Sequence, residues 1–323
     1  PDNLFIHLQR EDDLADIKAR AAHVVERRFR MNRQSMSPME GKAVLAYWDD
    51  QRSQLVVYSS TQVPHMIRSG LAECLGVDIA QLRVIAPDVG GGFGYKCNLM
   101  PEEVVIAWLA LKLRRPVRWV EDRREHFLAT TQERDQYWSL EIALNADVTL
   151  RGVRGTMLHD TGAYMPWGVV MPYIAATTVP GPYILPAYDL DVTVAYTNKV
   201  PTTPVRGAGR PQAVFVMERL LDHAAQALNI SPAEIRRRNL IQPEQMPYKV
   251  GLTFRDGKPV VYDSGDYPAV HDKALVLSGY ADFPQRQKRA REQGRYIGIG
   301  IGSYVEGTGL GPFEGVRVSV QDD

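Results

Sequence analysis

Arg83-Val84-Ile85-Ala86-Pro87-Asp88-Val89-Gly90-Gly91-Gly92-Phe93-Gly94-Tyr95-Lys96-Cys97 is the stretch whose reading decides the fold. A β-type run, Leu82 to Ala86, ends in four glycines interrupted by one phenylalanine. Glycine admits positive φ and lets a neighbouring group approach the backbone closely, at a cost in chain entropy. Either the run is an irregular turn, or it is a cradle whose N–H groups face an anionic or oxo-bearing ligand. Nucleotide loops fit badly. A G-x-G-x-x-G fingerprint from Gly90 needs glycine where Tyr95 stands, and a P-loop lysine is followed by Ser or Thr, whereas Lys96 is followed by Cys97.

Upstream, Lys42 to Trp48 and Leu55 to Ser59 alternate as a strand pair around Asp49-Asp50-Gln51-Arg52. Gln62 follows, either as a helix-capping amide or as a ligand donor. A helix opens at Pro64, carries Met66, Ile67, Leu71 and Leu75, and is capped by Gly76. Further upstream, Asp12 to His23 has a helical pattern and Val24 to Arg30 alternates. Downstream, Pro101 to Leu113 reads as a buried helix through Val104, Val105, Ala107, Trp108 and Leu111, and Arg118 to Val120 as a strand. Tyr137 to Leu144 and Val148 to Met157 read as a hairpin turning at Asn145-Ala146-Asp147, ended by His159 to Tyr164.

Residues 165–204 are rich in proline and tyrosine, with a strand from Tyr188 to Tyr196. Pro211 to Leu228 is a helix, and Ser231-Pro232-Ala233-Glu234 is a capping box for a shorter one. Residues 243–290 are loop-rich, with charged helices near 268–278 and 284–293. Gly298, Gly300 and Gly302 alternate with isoleucine, a strand habit where something packs closely, and Gly315 to Val320 reads as a last strand.

Length and composition bound the function. A chain of 323 residues is one large or two ordinary domains. The 38 basic residues balance 38 acidic ones, which argues against a general nucleic-acid or anionic-membrane surface. No apolar run of about 18 residues marks a membrane span. Two cysteines, Cys74 and Cys97, cannot make a four-thiolate cluster. Cys74 lies in an apolar helical pattern and is expected in the core; a disulfide between the two remains open.

A third polar cluster is Pro204-Val205-Arg206-Gly207-Ala208-Gly209-Arg210-Pro211, directly before a long helix. A helix N-terminus after a glycine loop suits an anion, and arginine adds donors that do not deprotonate; the plain alternative for either arginine is a surface ion pair. No G-x-S-x-G and no evident Ser–His–Asp order accompanies these clusters. Such donors hold a cofactor rather than perform acid–base chemistry unaided.

These motifs, in this order, resemble one family. Thr61-Gln62-x-Pro64-His65, Ala86 to Gly94 with Lys96, Asp160-x-Gly162-Ala163-Tyr164 and Arg206-Gly207-Ala208-Gly209-Arg210-Pro211 are similar to the molybdopterin-binding subunit of the xanthine oxidase, aldehyde oxidase and aerobic carbon-monoxide dehydrogenase family. Glu218-Arg219 and Glu234-Ile235-Arg236-Arg237-Arg238-Asn239-Leu240 extend the match over roughly residues 24–323.

The resemblance implies an α+β fold, with mixed sheets and packed helices. It divides the chain into 1–25 as a linker or the end of a preceding domain, 26–265 as a first molybdopterin-binding domain, 266–290 as a linker and 291–323 as the start of a second. It implies a molybdenum hydroxylase that oxidises an electron-poor carbon with water-derived oxygen and passes electrons through the pterin to iron–sulfur clusters and often FAD. The implied cofactor is molybdenum-molybdopterin, the cytosine dinucleotide form among the options. Carried over by motif, Gln62 would donate to the apical oxo ligand, and Gly91, Gly92, Phe93 and Gly94 would line the cofactor. Arg206 would face the pterin or the metal site, with Gly207 and Ala208 on the substrate side. No direct protein ligand to the metal is implied.

Departures narrow the substrate. The carbon-monoxide enzymes place cysteine after the loop arginine, where Gly207 stands here; purine-oxidising members place glutamate where Cys97 stands and an aromatic where Ala208 stands. The implied substrate is an aldehyde or an aromatic N-heterocycle, with Cys97 as a pocket-wall thiol. The family's Gly-Gln-Gly segment and general-base glutamate would lie beyond Asp323, and neither Glu306 nor Glu314 has the base motif around it. The chain is therefore expected to be part of a split, cleaved or longer subunit. Expected partners are a second molybdenum-binding chain carrying the catalytic glutamate, a 2Fe-2S subunit and an FAD subunit, in the cytoplasm or else the periplasm. The competing readings are a non-catalytic cofactor-binding or assembly protein, and a nucleotide-dependent oxidoreductase.

Overall fold

The computed structural model describes residues 17–307 and the backbone of a strand at Leu4–Gln9. In chain order the first elements are β1 (Leu4–Gln9), β2 (His23–Met31), β3 (Gln34–Ser35), β4 (Ala43–Asp49), β5 (Gln54–Ser59), α1 (Pro64–Leu75), β6 (Leu82–Ile85), α2 (Pro101–Leu113) and β7 (Val117–Val120). Then follow α3 (Arg123–Ala129), β8 (Gln132–Glu133), β9 (Gln136–Leu144), β10 (Leu150–Gly162), α4 (Val170–Thr178) and β11 (Ala187–Tyr196). The last are α5 (Arg210–Ala227), α6 (Pro232–Asn239), β12 (Tyr248–Thr253), β13 (Pro259–Tyr262), α7 (Tyr267–Ser278) and α8 (Phe283–Glu292).

Two mixed sheets carry two hydrophobic cores. The smaller sheet runs β6-β5-β4-β7, with β5 and β6 parallel across the α1 crossover. Val57, Ile67, Leu71, Ala107 and Ala110 fill its core against α1 and α2. The larger sheet runs β1-β11-β10-β9-β2, with β10 and β11 parallel. α5 lays Val216, Met217, Leu220 and Leu221 into its core at helical spacing. Each such side chain contributes about 2 kcal/mol by leaving water. The arrangement is the expected α+β fold with mixed sheets and packed helices.

Several expectations need correction. Asp12–His23 was expected as a helix, but Ile17–Arg20 is a turn and His23 opens β2; Asp12 to Asp16 lie outside the described residues. Cys74 is exposed: α1 buries Ile67 and Leu71, but the same stripe is left uncovered at residue 74, in the helix's last turn. In α2 the buried face is Glu103, Ile106, Ala107 and Ala110, leaving Val105 and Trp108 about half exposed. A carboxylate enters that core because it is satisfied there: Glu103 accepts the Ser59 hydroxyl at 2.6 Å and the Met100 N–H at 2.8 Å.

Helix α4 lies inside the proline- and tyrosine-rich stretch for which the sequence marks only the strand from Tyr188 to Tyr196; Pro172 and the β-branched residues mask a segment stabilised by burial between the large sheet and α5. Residues 243–290 hold the β12–β13 hairpin, whose Val250 and Leu252 pack into the large core. The Ser231 hydroxyl accepts from Ala233 N–H, but Glu234 does not close a capping box; it pairs with Arg238 at 2.6 Å. Around Gly298, Gly300 and Gly302 nothing lies within 4 Å of an added Cβ, so no close packing explains these glycines among the described residues, and 295–307 form no regular strand. Gly315–Val320 and Glu314 lie outside the described residues.

Candidate functional site

The three polar clusters meet at the seam between the two cores. Gln62 follows β5. Its N–H donates to Lys96 O at 3.0 Å, and the Thr61 hydroxyl donates to the same carbonyl at 3.1 Å. The side chain does not cap α1, whose N-cap is Val63 without a side-chain bond. Instead the Gln62 Oε1 accepts the Gly94 N–H at 2.9 Å. A Cβ on Gly92 would lie 2.2 Å from that oxygen, so only glycine lets the amide cross the run.

The run is bent by left-handed residues at Gly91, Phe93 and Gly94. Phe93 at φ 55 is a non-glycine in a region costing about 1 kcal/mol or more. Its carbonyl accepts the Arg206 N–H at 2.8 Å, and a Cβ on Gly94 would lie 2.0 Å from Pro204 O. Below the run, buried Lys96 reaches Glu40 at 2.7 Å, and Glu40 also accepts the Gly90 N–H at 2.7 Å. Burial pushes the Glu40 carboxyl up, but Lys96 and the Gly90 N–H outweigh it and hold the group below its ordinary value. Lys96 is thus an internal counter-charge for Glu40.

Gly94 was expected to present its N–H to a ligand, and that donor is occupied by Gln62. The N–H groups of Gly92 and Phe93 have no hydrogen-bond partner among the described residues. The Gln62 Nε2 likewise has none there, and the Phe93 ring is 43% exposed. Cys97 closes the turn through its N–H to Gly94 O at 3.1 Å; it is half-buried, and burial raises its thiol pKa, so the group stays protonated.

Gly207, Ala208 and Gly209 are consecutive left-handed residues, at φ 98, 47 and 104. A Cβ on Gly209 would meet Met171 O at 2.4 Å, so glycine there lets α5 begin against α4. Arg210 carries the ion-pair reading, lying 3.7 Å from Glu306. Arg206 is exposed and makes no side-chain bond among the described residues. A cavity of about 470 Å³ borders Arg210, Thr178, Phe254 and Lys258 but touches none of Gln62, Phe93 or Arg206.

Sequence reasoning missed the support beneath these loops: Glu40, Glu133, Arg134 and Gln212. Glu133 and Gln212 lie in strand- and helix-like segments, where nothing but burial distinguishes them. The Asp160 motif also proves supportive. Asp160 caps Gly162 N–H at 2.9 Å and pairs with Lys199 at 2.7 Å and Arg33 at 3.2 Å.

The available donors are backbone N–H, one amide and one guanidinium. No group of three or more His, Cys, Asp or Glu side chains that could hold a metal occurs among the described residues. This donor set fits a large anionic, oxo-bearing group that brings its metal within its own chelate.

The molybdopterin cofactor-binding domain family matches residues 1–240. The chain is 36% identical over 304 residues to the 6-hydroxypseudooxynicotine dehydrogenase complex subunit gamma of Paenarthrobacter nicotinovorans, covering 93% of this chain and 38% of that one. It is 36% identical over 314 residues to the nicotine 6-hydroxylase large subunit of the same organism, covering 96% and 38%. Among solved structures, quinoline 2-oxidoreductase from Pseudomonas putida 86 superposes with a TM-score of 0.81 at 34% identity, over 90% of this chain and 37% of that one. The chain thus spans 38% of the length of these curated relatives.

Proposed function

This chain belongs to the molybdopterin cofactor-binding domain family, and from that premise we propose that it forms part of the catalytic subunit of a molybdenum hydroxylase. The observation that carries the reading is the junction of Gln62, the glycine run and the Arg206 loop, closed by the Gln62–Gly94 and Arg206–Phe93 hydrogen bonds. When bound, molybdopterin supplies the oxidation through its metal, with product oxygen drawn from water.

The chain's own residues bind and orient. Gln62 keeps its Oε1 on Gly94 and so presents its amide N–H groups as donors. The Gly92 and Phe93 N–H groups and the Arg206 guanidinium are placed to receive anionic oxygen. The Phe93 ring offers an apolar platform. Cys97, as a neutral thiol, and Ala208, with its single methyl, give the substrate side a small uncharged wall.

That wall and the relatives' names favour an aromatic N-heterocycle over an aldehyde: two relatives are named for nicotine or pseudooxynicotine and one for quinoline. The finer parts of the proposal are a cytosine dinucleotide form of the cofactor, 2Fe-2S and FAD partner subunits, a catalytic glutamate outside this chain and a cytoplasmic setting. No helix among the described residues is long and apolar enough to cross a membrane.

The test is turnover by the complete assembly in ¹⁸O-labelled water with an artificial electron acceptor. Hydroxylated N-heterocycle carrying ¹⁸O is expected. Molybdenum without turnover of any N-heterocycle or aldehyde would favour the non-catalytic reading.

A further inference from the structure

Resting on the reading of the glycine run as part of the cofactor seat, we propose that Glu40 is the positioning residue of that run, tying its two ends to one carboxylate oxygen. Glu40 Oε2 accepts the Gly90 N–H at 2.7 Å, where the run begins, and the Lys96 ammonium at 2.7 Å, where it ends. The backbone doubles the first tie, since the Glu40 N–H donates to Gly90 O at 3.3 Å. A Cβ on Gly90 would lie 2.6 Å from the Glu40 Cβ, so glycine at the start of the run is what lets the carboxylate close in. Lys96 is fully buried, and its ammonium makes no other hydrogen bond among the described residues.

Glu40 is itself held in place. Arg123 of α3 donates to Pro38 O at 2.6 Å and to Met39 O at 3.3 Å, which fixes the chain directly before it. The run passes close to the same segment: a Cβ on Gly91 would lie 3.2 Å from the Pro38 Cβ.

Between the tied ends lie Gly91, Gly92, Phe93, Gly94 and Tyr95. Gly91, Phe93 and Gly94 are left-handed, at φ 95, 55 and 106. Such residues persist where the surroundings over-determine them. Gln62 accepts the Gly94 N–H, the Phe93 carbonyl accepts the Arg206 N–H, and Glu40 closes the base. What these ties leave without a partner among the described residues is the pair of donors the seat needs, the N–H groups of Gly92 and Phe93. The Glu40 tie is the charged one. Burial pushes its carboxyl up, but Lys96 and the Gly90 N–H hold it below its ordinary value, so at neutral pH both bonds are charge-assisted. The Lys96 charge is thereby matched inside the fold, and its ammonium serves the shape of the run.

The experiment is amide hydrogen exchange of the peptide covering Val89 to Gly94 in the complete assembly, with kcat and KM measured per molybdenum on the same samples. In Glu40→Ala/Lys96→Met no buried charge is left unpaired, so the fold is kept while the ends come untied. Exchange of that peptide is expected to rise about tenfold, the loss of a charge-assisted bond, with the rest of the chain unchanged. The kcat is expected to fall about tenfold at unchanged KM, as the Gly92 and Phe93 donors lose their aim. Glu40→Asp keeps the charge but is one methylene too short to reach both ends, and is expected to show the same local rise. Wild-type exchange in both variants, exchange raised across the whole chain, or a local rise with unchanged kcat would overturn the assignment. A wild-type assembly without molybdenum would sink the cofactor reading instead, and the exchange result would then report on the tie alone.

Discussion

The backbone N–H of Arg206 donates to the carbonyl of Phe93 at 2.8 Å, joining a loop before α5 to the glycine run of the smaller sheet. Two segments far apart in the chain thereby become one surface. Both partners sit among left-handed residues, so the contact depends on backbone shapes that few side chains allow.

Gly94→Ala tests that dependence. The glycine has φ 106, and the added methyl would lie 2.0 Å from the Pro204 carbonyl. A loss of about 2–4 kcal/mol of stability is expected by denaturant unfolding. Gly92→Ala should behave differently. Its Cβ meets the end of the Gln62 side chain and its φ is not left-handed, so stability should fall by under about 1 kcal/mol while turnover falls about 10²-fold as the Gln62 donors are displaced.

The Glu218 and Arg236 of the extended motif prove architectural. Buried Arg236 donates to Glu218 Oε2 at 2.7 Å and to Asp222 at 2.9 Å, and the Tyr183 hydroxyl donates to Glu218 at 2.6 Å. Arg236→Ala leaves a buried carboxylate without its counter-charge. A loss of about 3–5 kcal/mol is expected, read by thermal unfolding.

How far the sequence carried the fold depends on how locally each element is determined. Pro211 to Leu228 was legible because its apolar stripe is helical and its start is marked by proline; α5 spans Arg210–Ala227. Gln62, the glycine run and the Arg206 loop were legible as separate clusters by their glycines and by motif order. Their junction was not, because the Arg206–Phe93 and Gln62–Gly94 bonds link segments with no local signal of each other. Helix α4 was illegible because tertiary burial outweighs its poor propensity. Cys74 and the face of α2 were misjudged for a related reason: sequence spacing gives a stripe, but the neighbouring helix and sheet decide which edge of it is covered.

Acid sensitivity should trace in part to His159. Burial first, and the Arg33 guanidinium next, push its pKa down to about 4 from 6.5. A folded-state value below the unfolded one means that the native state binds fewer protons in between, so stability falls as pH drops from 6.5 towards 4. His159→Gln is expected to flatten that limb of the stability–pH curve. Glu133 has the opposite sign: its raised value makes stability fall as pH rises from 4.5 to about 7. Glu133→Gln is expected to remove that fall, which unfolding midpoints across pH would show.

The two thiols should separate chemically. Cys74 is exposed, whereas Cys97 is half-buried with its pKa raised. Limited alkylation at pH 7.5 followed by peptide mapping should find Cys74 modified at least about tenfold faster.

The most direct test of the central claim is the molybdenum content of the complete, freshly isolated assembly, measured by elemental analysis against the concentration of this chain. The account predicts close to one molybdenum per chain, falling sharply in Arg206→Ala. A folded, complete assembly without molybdenum would contradict it and leave the Gln62, Phe93 and Arg206 junction as an inherited shape without its cofactor.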